Sequence, residues 1–453
     1  MPTAIHQEAA ELVLASMFRE SETGYRASFL IQRPGQPRWA GGLGTDLFYE
    51  RREFVRAILY IRKHGAPYLR FLSVSDIWSM LTSFVSGNYW ILSKESFAKH
   101  FSGSYASFIS DPTKVVFADA LAASTLFAPS DKLTLFPLVP ITVETAFDSA
   151  PFFFVPAGPG FGASRLPAGV REEWVPADQF PPEKEFKGRI EMPTSWLGIR
   201  SPEYKAAEKM KAAILGALAL TPMPRLRYSF SGRKMFGGRA TITDGITMSF
   251  GDPHTPPMMN NIALTERDQP WLTILAKKLT SETKVIKRQL RALEYYYRAW
   301  PLSEPERFPI MCMTLDAVFG DANHATQAVI DGVRATIGGH VEDARLRALM
   351  ELRAAVIHGG APDVYDSRKY ARYYDAYGAD PIRDLDLVVG QCLRHHVFGE
   401  AMIEHPDPNA AKIAALQASG KLPKQLSAPS ILDEIESDEE PIALIDVEES
   451  PSI

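Results

Sequence analysis

From residue 271 to about residue 404, apolar residues recur at helical spacing almost without interruption. The preceding segment 252–262 contains three prolines and reads as a loop, so it predicts a boundary. Amphipathic helices in succession bury their apolar stripes by packing against one another. The sequence therefore predicts an all-α helical bundle over residues 271–405.

The residues before this bundle carry two other patterns. Residues 4–20 and 46–64 have helical spacing, and two shorter helices are expected at 75–86 and 94–102, so residues 1–130 are predicted to be mostly helical. From about residue 131, β-branched and aromatic runs broken by proline indicate strands.

Together these patterns divide the chain into four predicted regions. Residues 131–270 are expected to form a strand-containing α+β region for sensing or substrate selection, with one helix at 203–219 that is rich in alanine, leucine and lysine. The predicted fold class is α+β overall, with an N-terminal mixed α/β region, then the all-α bundle, then a disordered acidic tail over 406–453.

Charge is unevenly distributed along the chain. The 453 residues carry a net charge of −5, while residues 406–453 hold three lysines and ten acidic residues and so carry −7. The remaining residues 1–405 are together close to neutral, so their net charge does not indicate a nucleic-acid-binding protein. Any RNA contact would use local basic patches. The acidic tail is open to two interpretations: simple solubility and flexibility, or a regulatory segment that competes electrostatically with RNA.

Several classes of site and location are not indicated. Cys312 and Cys392 are the only cysteines, which suits a reducing cytosol, and no targeting or membrane segment is visible, so a cytoplasmic protein without a membrane partner is expected. The glycines at 158–162 lack the Lys-Ser/Thr of a phosphate loop, and His395 and His396 have no accompanying metal-ligand motif. No metal and no cofactor are therefore expected.

The informative stretch is Leu346–Gly360, LRALMELRAAVIHGG. One face of its helix is apolar, with Leu346, Leu349, Met350, Val356 and Ile357. Arg353 lies in the middle of this stripe, where burial of an unpaired guanidinium costs several kcal/mol. We therefore expect Arg353 either to extend to solvent or to point into a polar cleft or an interface.

His358 follows at the end of the same helix, where Gly359 and Gly360 supply a stop. Five helical residues turn about 500°, so Arg353 and His358 lie about 140° apart and are poorly placed to form one tight pair. A two-fold dimer would let each helix contribute one arginine and one histidine to a shared cleft.

The stretch Leu352–Gly360, LRAAVIHGG, resembles the closing motif of the HEPN ribonuclease superfamily in its Apea-like branch. Upstream, Thr314–Gly320 is similar to an "ALEALFG" helix and Gly332–Ala335 to an "SxRVA" segment of that family. Leu385–Arg394 resembles its closing helix, so the resemblance covers roughly residues 280–400.

The resemblance implies a metal-independent endoribonuclease that acts as a homodimer through the bundle. RNA supplies its own 2′-OH nucleophile, His358 would act as general acid or base, and Arg353 would stabilise the phosphorane, leaving a 2′,3′-cyclic phosphate. Glu351 or Asp316 would serve only as orienting groups. Proteins of this kind often act in bacterial anti-phage or toxin systems. The expected partners are therefore RNA, such as tRNA, a phage-derived trigger and a regulatory partner.

A basic helix with adjoining tyrosines precedes the motif. Its residues suit a single RNA strand, although a solvated helix face is the simpler interpretation. The expected RNA contacts are Lys284, Lys287, Arg288, Arg291 and Tyr295.

Two departures from the family pattern keep a second hypothesis open. Ala354 follows the arginine where active members commonly have Asn or Ser, and Asp316 replaces the usual glutamate. The alternative is a non-catalytic HEPN dimer that serves as a scaffold or RNA-binding module. A third possibility is a partner-regulating protein whose acidic tail is the active part.

Overall fold

The computed structural model describes residues 2–31, 43–130, 132–158, 162–167, 170–171, 183–243, 245–321, 324–338, 341–357, 363–422 and 430–432. These residues form an α+β protein, with mixed helices and strands in the N-terminal part and helices in the C-terminal part. The chain divides into two compact units, residues 1–133 with 200–208, and residues 134–199 with 209–453.

The first unit packs helices on one face of a three-stranded antiparallel sheet of order β1-β3-β2. Its elements are α1 (Ala4–Ala15), β1 (Met17–Phe18), β2 (Tyr25–Ile31), β3 (Leu43–Tyr49), α2 (Arg51–His64), α3 (Val74–Ser96), α4 (Tyr105–Phe108) and α5 (Asp111–Ala122). In β3 the inward residues Thr45, Leu47 and Tyr49 alternate with more exposed neighbours, which gives the sheet one buried face.

The helix boundaries predicted in this unit differ from those of the structure. The helix expected at 4–20 ends at Ala15, because Met17 and Phe18 pair with β3 as a strand. The helix expected at 46–64 begins only at Arg51, because residues 43–49 alternate in burial and pair as a strand. The helices expected at 75–86 and 94–102 are one helix that ends at Ser96. The helix continues through Gly87, because burial of Tyr89, Ile91 and Leu92 after it outweighs the roughly 1 kcal/mol that a helical glycine costs.

The second unit contains a six-stranded sheet of order β10-β9-β4-β8-β7-β6, and β11 pairs in parallel with β5 outside it. Its strands are β4 (Leu133–Leu138), β5 (Ile141–Val143), β6 (Phe147–Asp148), β7 (Phe152–Pro156), β8 (Ser195–Arg200), β9 (Arg239–Ile242), β10 (Ile246–Ser249) and β11 (Ile262–Leu264). All six residues of β4 are buried, as expected of a central strand. The predicted change to strands near residue 131 is confirmed.

Helices make up the rest of the second unit. They are α6 (Glu183–Phe186), α7 (Tyr204–Leu218), α8 (Pro224–Arg227), α9 (Gln269–Leu279), α10 (Lys284–Ala299), α11 (Glu304–Phe319), α12 (Ala325–Ile337), α13 (Asp343–Ile357), α14 (Arg368–Tyr377), α15 (Pro381–Leu393), a π-helical turn (Arg394–Phe398) and α16 (Ala410–Ala418). The α10, α12, α13 and α15 helices all pack against α11, which is therefore the central helix of the bundle. Helix α7, which continues from the first unit, confirms the helix predicted at 203–219, and the described part of 271–405 is a helical bundle.

The prediction of disorder from residue 406 is wrong for its first part. Asp407 is buried and binds the Arg225 guanidinium, α16 is helical, and Ile431 is buried. The prediction missed this alanine-rich helix because it relied on the average acidity of the whole tail. Residues 433–453 lie outside the described residues. Within the described ranges, no helix has the length and apolar character needed to cross a membrane.

Candidate functional site

Helix α13 carries the predicted motif as far as the structure describes it. Leu346, Leu349 and Met350 are buried in the bundle, which confirms the inward stripe at this end of the helix. Towards the C-terminus the burial fades, and Ile357 is 45% exposed. Arg353 lies between these two parts with its side chain 19% exposed.

The partner of Arg353 is Asp316 of the central helix α11. The Arg353 Nη2 group donates a hydrogen bond to Asp316 Oδ2 and the two side chains form an ion pair. Asp316 Oδ1 is buried and has no hydrogen-bond partner among the described residues. Of the two placements expected for Arg353, the structure shows a polar partner inside the protein rather than extension to solvent.

Burial dominates the electrostatics around this pair. It raises the pKa of the Asp316 carboxyl above its ordinary value, and the Arg353 guanidinium opposes that rise. Cys312 lies one turn before Asp316 on α11, is fully buried, and has its thiol pKa raised by that burial. A neutral buried thiol is a packing group and not a nucleophile.

Glu351, the other predicted orienting group, is not brought to Arg353. Its carboxylate accepts from Lys369 Nζ at 3.5 Å on α14, and its side chain is 66% exposed. Two helical residues turn the chain by about 200°, which places the Glu351 and Arg353 side chains on different sides of α13. Asp316 is therefore the acidic residue that contacts the arginine.

His358 lies outside the described residues, together with Gly359 and Gly360. The described part of α13 ends at Ile357, directly before it. Its relation to Arg353 therefore stays a prediction from the sequence.

The predicted RNA-contact residues divide into two groups on α10. Arg288 caps the end of α11, because its Nε donates to the Ala317 carbonyl at 2.9 Å and its Nη2 to the Gly320 carbonyl at 2.7 Å. Lys284 and Arg291, one turn before and after it, are exposed, while Lys287 is half-buried. Tyr295 is half-buried as well.

One histidine near the site was not assigned a role from the sequence. The π-helical turn places the His396 ring edge-on to Phe319, with 5.3 Å between ring centroids, at the end of α11. Burial lowers the pKa of His396, and the nearby Lys278 and Arg288 charges lower it further. No local sequence signal predicts this placement, because it depends on the π turn and on residues from three other helices.

The described residues hold no cluster of three or more His, Cys, Asp and Glu side chains suited to a metal ion. No protein-family model matches the chain, and no similar curated protein or solved structure was found. The functional argument therefore rests on the geometry around Arg353 and on the sequence motif.

Proposed function

We propose that this protein is a metal-independent endoribonuclease in which Arg353 and His358 act on the scissile phosphate of RNA. The observation that carries the proposal is the Arg353–Asp316 ion pair, in which a carboxylate from the central helix orients a guanidinium on a core-facing stripe. An oriented, permanently charged group is what stabilisation of a phosphorane requires.

The contacts of Arg353 leave capacity for a substrate. Only its Nη2 is engaged in a hydrogen bond within the described residues, and a guanidinium has five N–H donors. Because the side chain keeps 19% exposure, the remaining donors have a route to an incoming phosphate. Asp316 then acts as a positioning residue for Arg353.

The histidine chemistry favours a homodimer formed through the bundle. Cleavage by the 2′-OH needs one group to remove a proton and another to protonate the leaving 5′-oxygen, and one imidazole does not readily serve both. Two apolar side chains beside the pair are suited to a two-fold contact, since Ile357 of α13 is 45% exposed and Met313 of α11 is 40% exposed. The proposal places this dimer in the cytoplasm, in a bacterial anti-phage or toxin-type system acting on tRNA or other RNA in response to a phage-derived trigger or a regulatory partner.

Cleavage assays on total RNA and tRNA in the presence of EDTA test the enzyme. Wild type is expected to leave 2′,3′-cyclic phosphate ends, and Arg353→Ala and His358→Ala are each expected to lose at least about 100-fold in rate. Glu351→Ala is the matched control, because Glu351 faces Lys369, and its rate should stay within a few-fold of wild type.

Two outcomes contradict the proposal. One is RNA that stays intact with wild type, both alone and with extract from phage-infected cells. The other is cleavage that EDTA abolishes.

A non-catalytic RNA-binding or scaffold dimer is the second candidate. The same ion pair favours it, because an arginine already paired with Asp316 also serves a purely structural role between α11 and α13. RNA binding without cleavage, unaffected by Arg353→Ala, would support this candidate.

A further inference from the structure

The exposed side of α10 is a basic surface segment next to the candidate site. Its cations and one tyrosine recur every three or four residues and therefore share one helix face. We call this face the α10 basic stripe; it comprises Lys284, Lys287, Arg291, Tyr295 and Arg298. From Lys284 to Arg298 the stripe extends roughly 21 Å along the helix.

Cationic residues outnumber acidic residues on the helix that carries this stripe. Helix α10 carries five cationic residues against one acid, Glu294. Glu294 is half-buried, and burial raises its pKa despite the neighbouring cations Lys209, Arg291 and Arg298. Lys284, Arg291 and Arg298 all present exposed side chains, so the face that meets solvent is positive.

Arg288 fixes the position of the stripe relative to the Arg353–Asp316 pair. It belongs to the same face of α10, but its guanidinium donates hydrogen bonds to the carbonyls of Ala317 and Gly320, which follow Asp316 in the chain. Lys284 and Arg291 lie one turn to either side of Arg288. The exposed cations therefore flank the end of α11 at which Asp316 holds Arg353.

We infer that the α10 basic stripe is the docking surface for the backbone of single-stranded RNA on its way to this site. The inference deepens the proposed function and rests on it for the identity of the polyanion. A single row of cations matches the phosphates of one strand, whereas duplex RNA is held across two grooves. The Arg298 guanidinium lies 5.8 Å from the centre of the Tyr295 ring, and this cation–aromatic pair suits an unstacked base.

A binding experiment with a non-cleavable probe tests the surface independently of catalysis. The probe is a fluorescent 2′-O-methyl single strand, which lacks the nucleophile, titrated with the full-length protein at several salt concentrations. The test variant combines Lys284→Glu, Arg291→Glu and Arg298→Glu. The control variant makes the same charge change at exposed residues elsewhere in the second unit, with Arg383→Glu, Lys412→Glu and Lys421→Glu.

The stripe variant is expected to bind at least about 10-fold more weakly at 0.1 M salt, with a log–log salt slope shallower by about 2, because single strands lose about 0.7 per neutralised phosphate. The control variant should bind within about three-fold of wild type, with an unchanged slope. Equal loss in both variants, or none in either, overturns the inference. An equal-length duplex that competes as well as the single strand also overturns it.

Parallel cleavage of unmodified RNA separates this inference from the proposed function. Undiminished cleavage by the stripe variant contradicts the docking surface and leaves the enzyme intact. Wild type that binds through the stripe but never cleaves contradicts the enzyme and leaves the surface intact. If circular dichroism shows that the triple variant is unfolded, the single variant Arg291→Glu takes its place, with Arg383→Glu as control.

Discussion

Arg353 shows how a charge is accommodated on the apolar stripe of a core helix. Its carboxylate partner is itself largely removed from water, with 27% of the side chain exposed, so the cost of desolvating Asp316 competes with the attraction between the two groups. The pKa of Asp316 is raised in spite of the arginine, which shows that burial is the larger effect. The desolvation cost therefore offsets much of the attraction, and the ion pair does not strongly stabilise the fold.

This balance predicts the effect of removing the arginine. In Arg353→Gln the pKa of Asp316 should rise further, because the guanidinium no longer favours the charged carboxylate. A raised carboxyl pKa means that the folded state binds more protons, so the variant should lose stability as pH rises from 3.8 through the folded pKa. Carbon-detected NMR titration of the carboxyl measures the shift, and Arg347→Gln on the exposed side of α13 is the control. An unchanged or lower pKa would contradict the assignment of Arg353 as the partner.

His396 makes a second residue-level prediction. Its lowered pKa results first from burial and then from Lys278 and Arg288, so Lys278→Gln should raise it toward the ordinary 6.5. For an imidazole with a lowered folded pKa, the unfolded state binds the proton more readily. Stability therefore increases as pH rises toward 6.5, and this dependence should weaken in Lys278→Gln. Two-dimensional NMR of the ring protons reports the pKa, and Lys277→Gln on the same helix should leave it in place.

At the scale of elements, the local sequence predicts the helices that have clear apolar stripes and the positions at which prolines end them. Helix α7 was predictable because it is rich in alanine and lysine and ends before Pro222. The start of α2 was not, because residues 46–49 read equally well as helix or strand until β2 pairs with β3. Asp316 was predictable only as a motif position, since nothing in its neighbourhood indicates a partner 37 residues away.

Close approach of α7 and α10 gives a prediction about one glycine. A Cβ atom at Gly216 would lie 2.0 Å from the backbone carbonyl oxygen of Leu293, so Gly216→Ala must push the two helices apart. We expect a loss of about 1–3 kcal/mol in the free energy of unfolding. Gly87 of α3 is the matched control, because nothing lies within 4 Å of its added Cβ, and Gly87→Ala should stabilise by up to about 1 kcal/mol. Calorimetry of the two variants measures the opposite signs, and a neutral Gly216→Ala would show that the helices can separate freely.

At the scale of the whole molecule, net charge conceals local organisation. A body close to neutral contains an exposed cationic row on α10, while the acids are concentrated from Asp433 to Glu449. Residues 433–453 begin beyond α16 and the buried Ile431, so a deletion that starts at residue 433 takes away none of the described elements. The acidic segment therefore permits a test of electrostatics separate from fold.

Deletion of residues 433–453 is expected to strengthen binding of single-stranded RNA several-fold at low salt, because nine acidic residues no longer repel the phosphates. The gain should disappear near 1 M salt, where the Debye length is about 3 Å. Fluorescence anisotropy measures both, and a full-length variant with the nine acids changed to Gln or Asn controls for chain length. If both variants bind as wild type does, the segment serves solubility alone.

The π-helical turn at Arg394–Phe398 changes the directions in which side chains point at the end of the last helix of the bundle. A π turn accommodates one residue more than an α turn, so the side chains after it point in directions that an uninterrupted helix would not give them. In this register the Arg394 guanidinium reaches Glu404 and the His396 ring reaches Phe319. Removal of one residue from the turn would rotate everything after it by about 100° and take the imidazole away from the end of α11. The one additional residue of this turn thus decides whether the His396 ring lies at the end of α11.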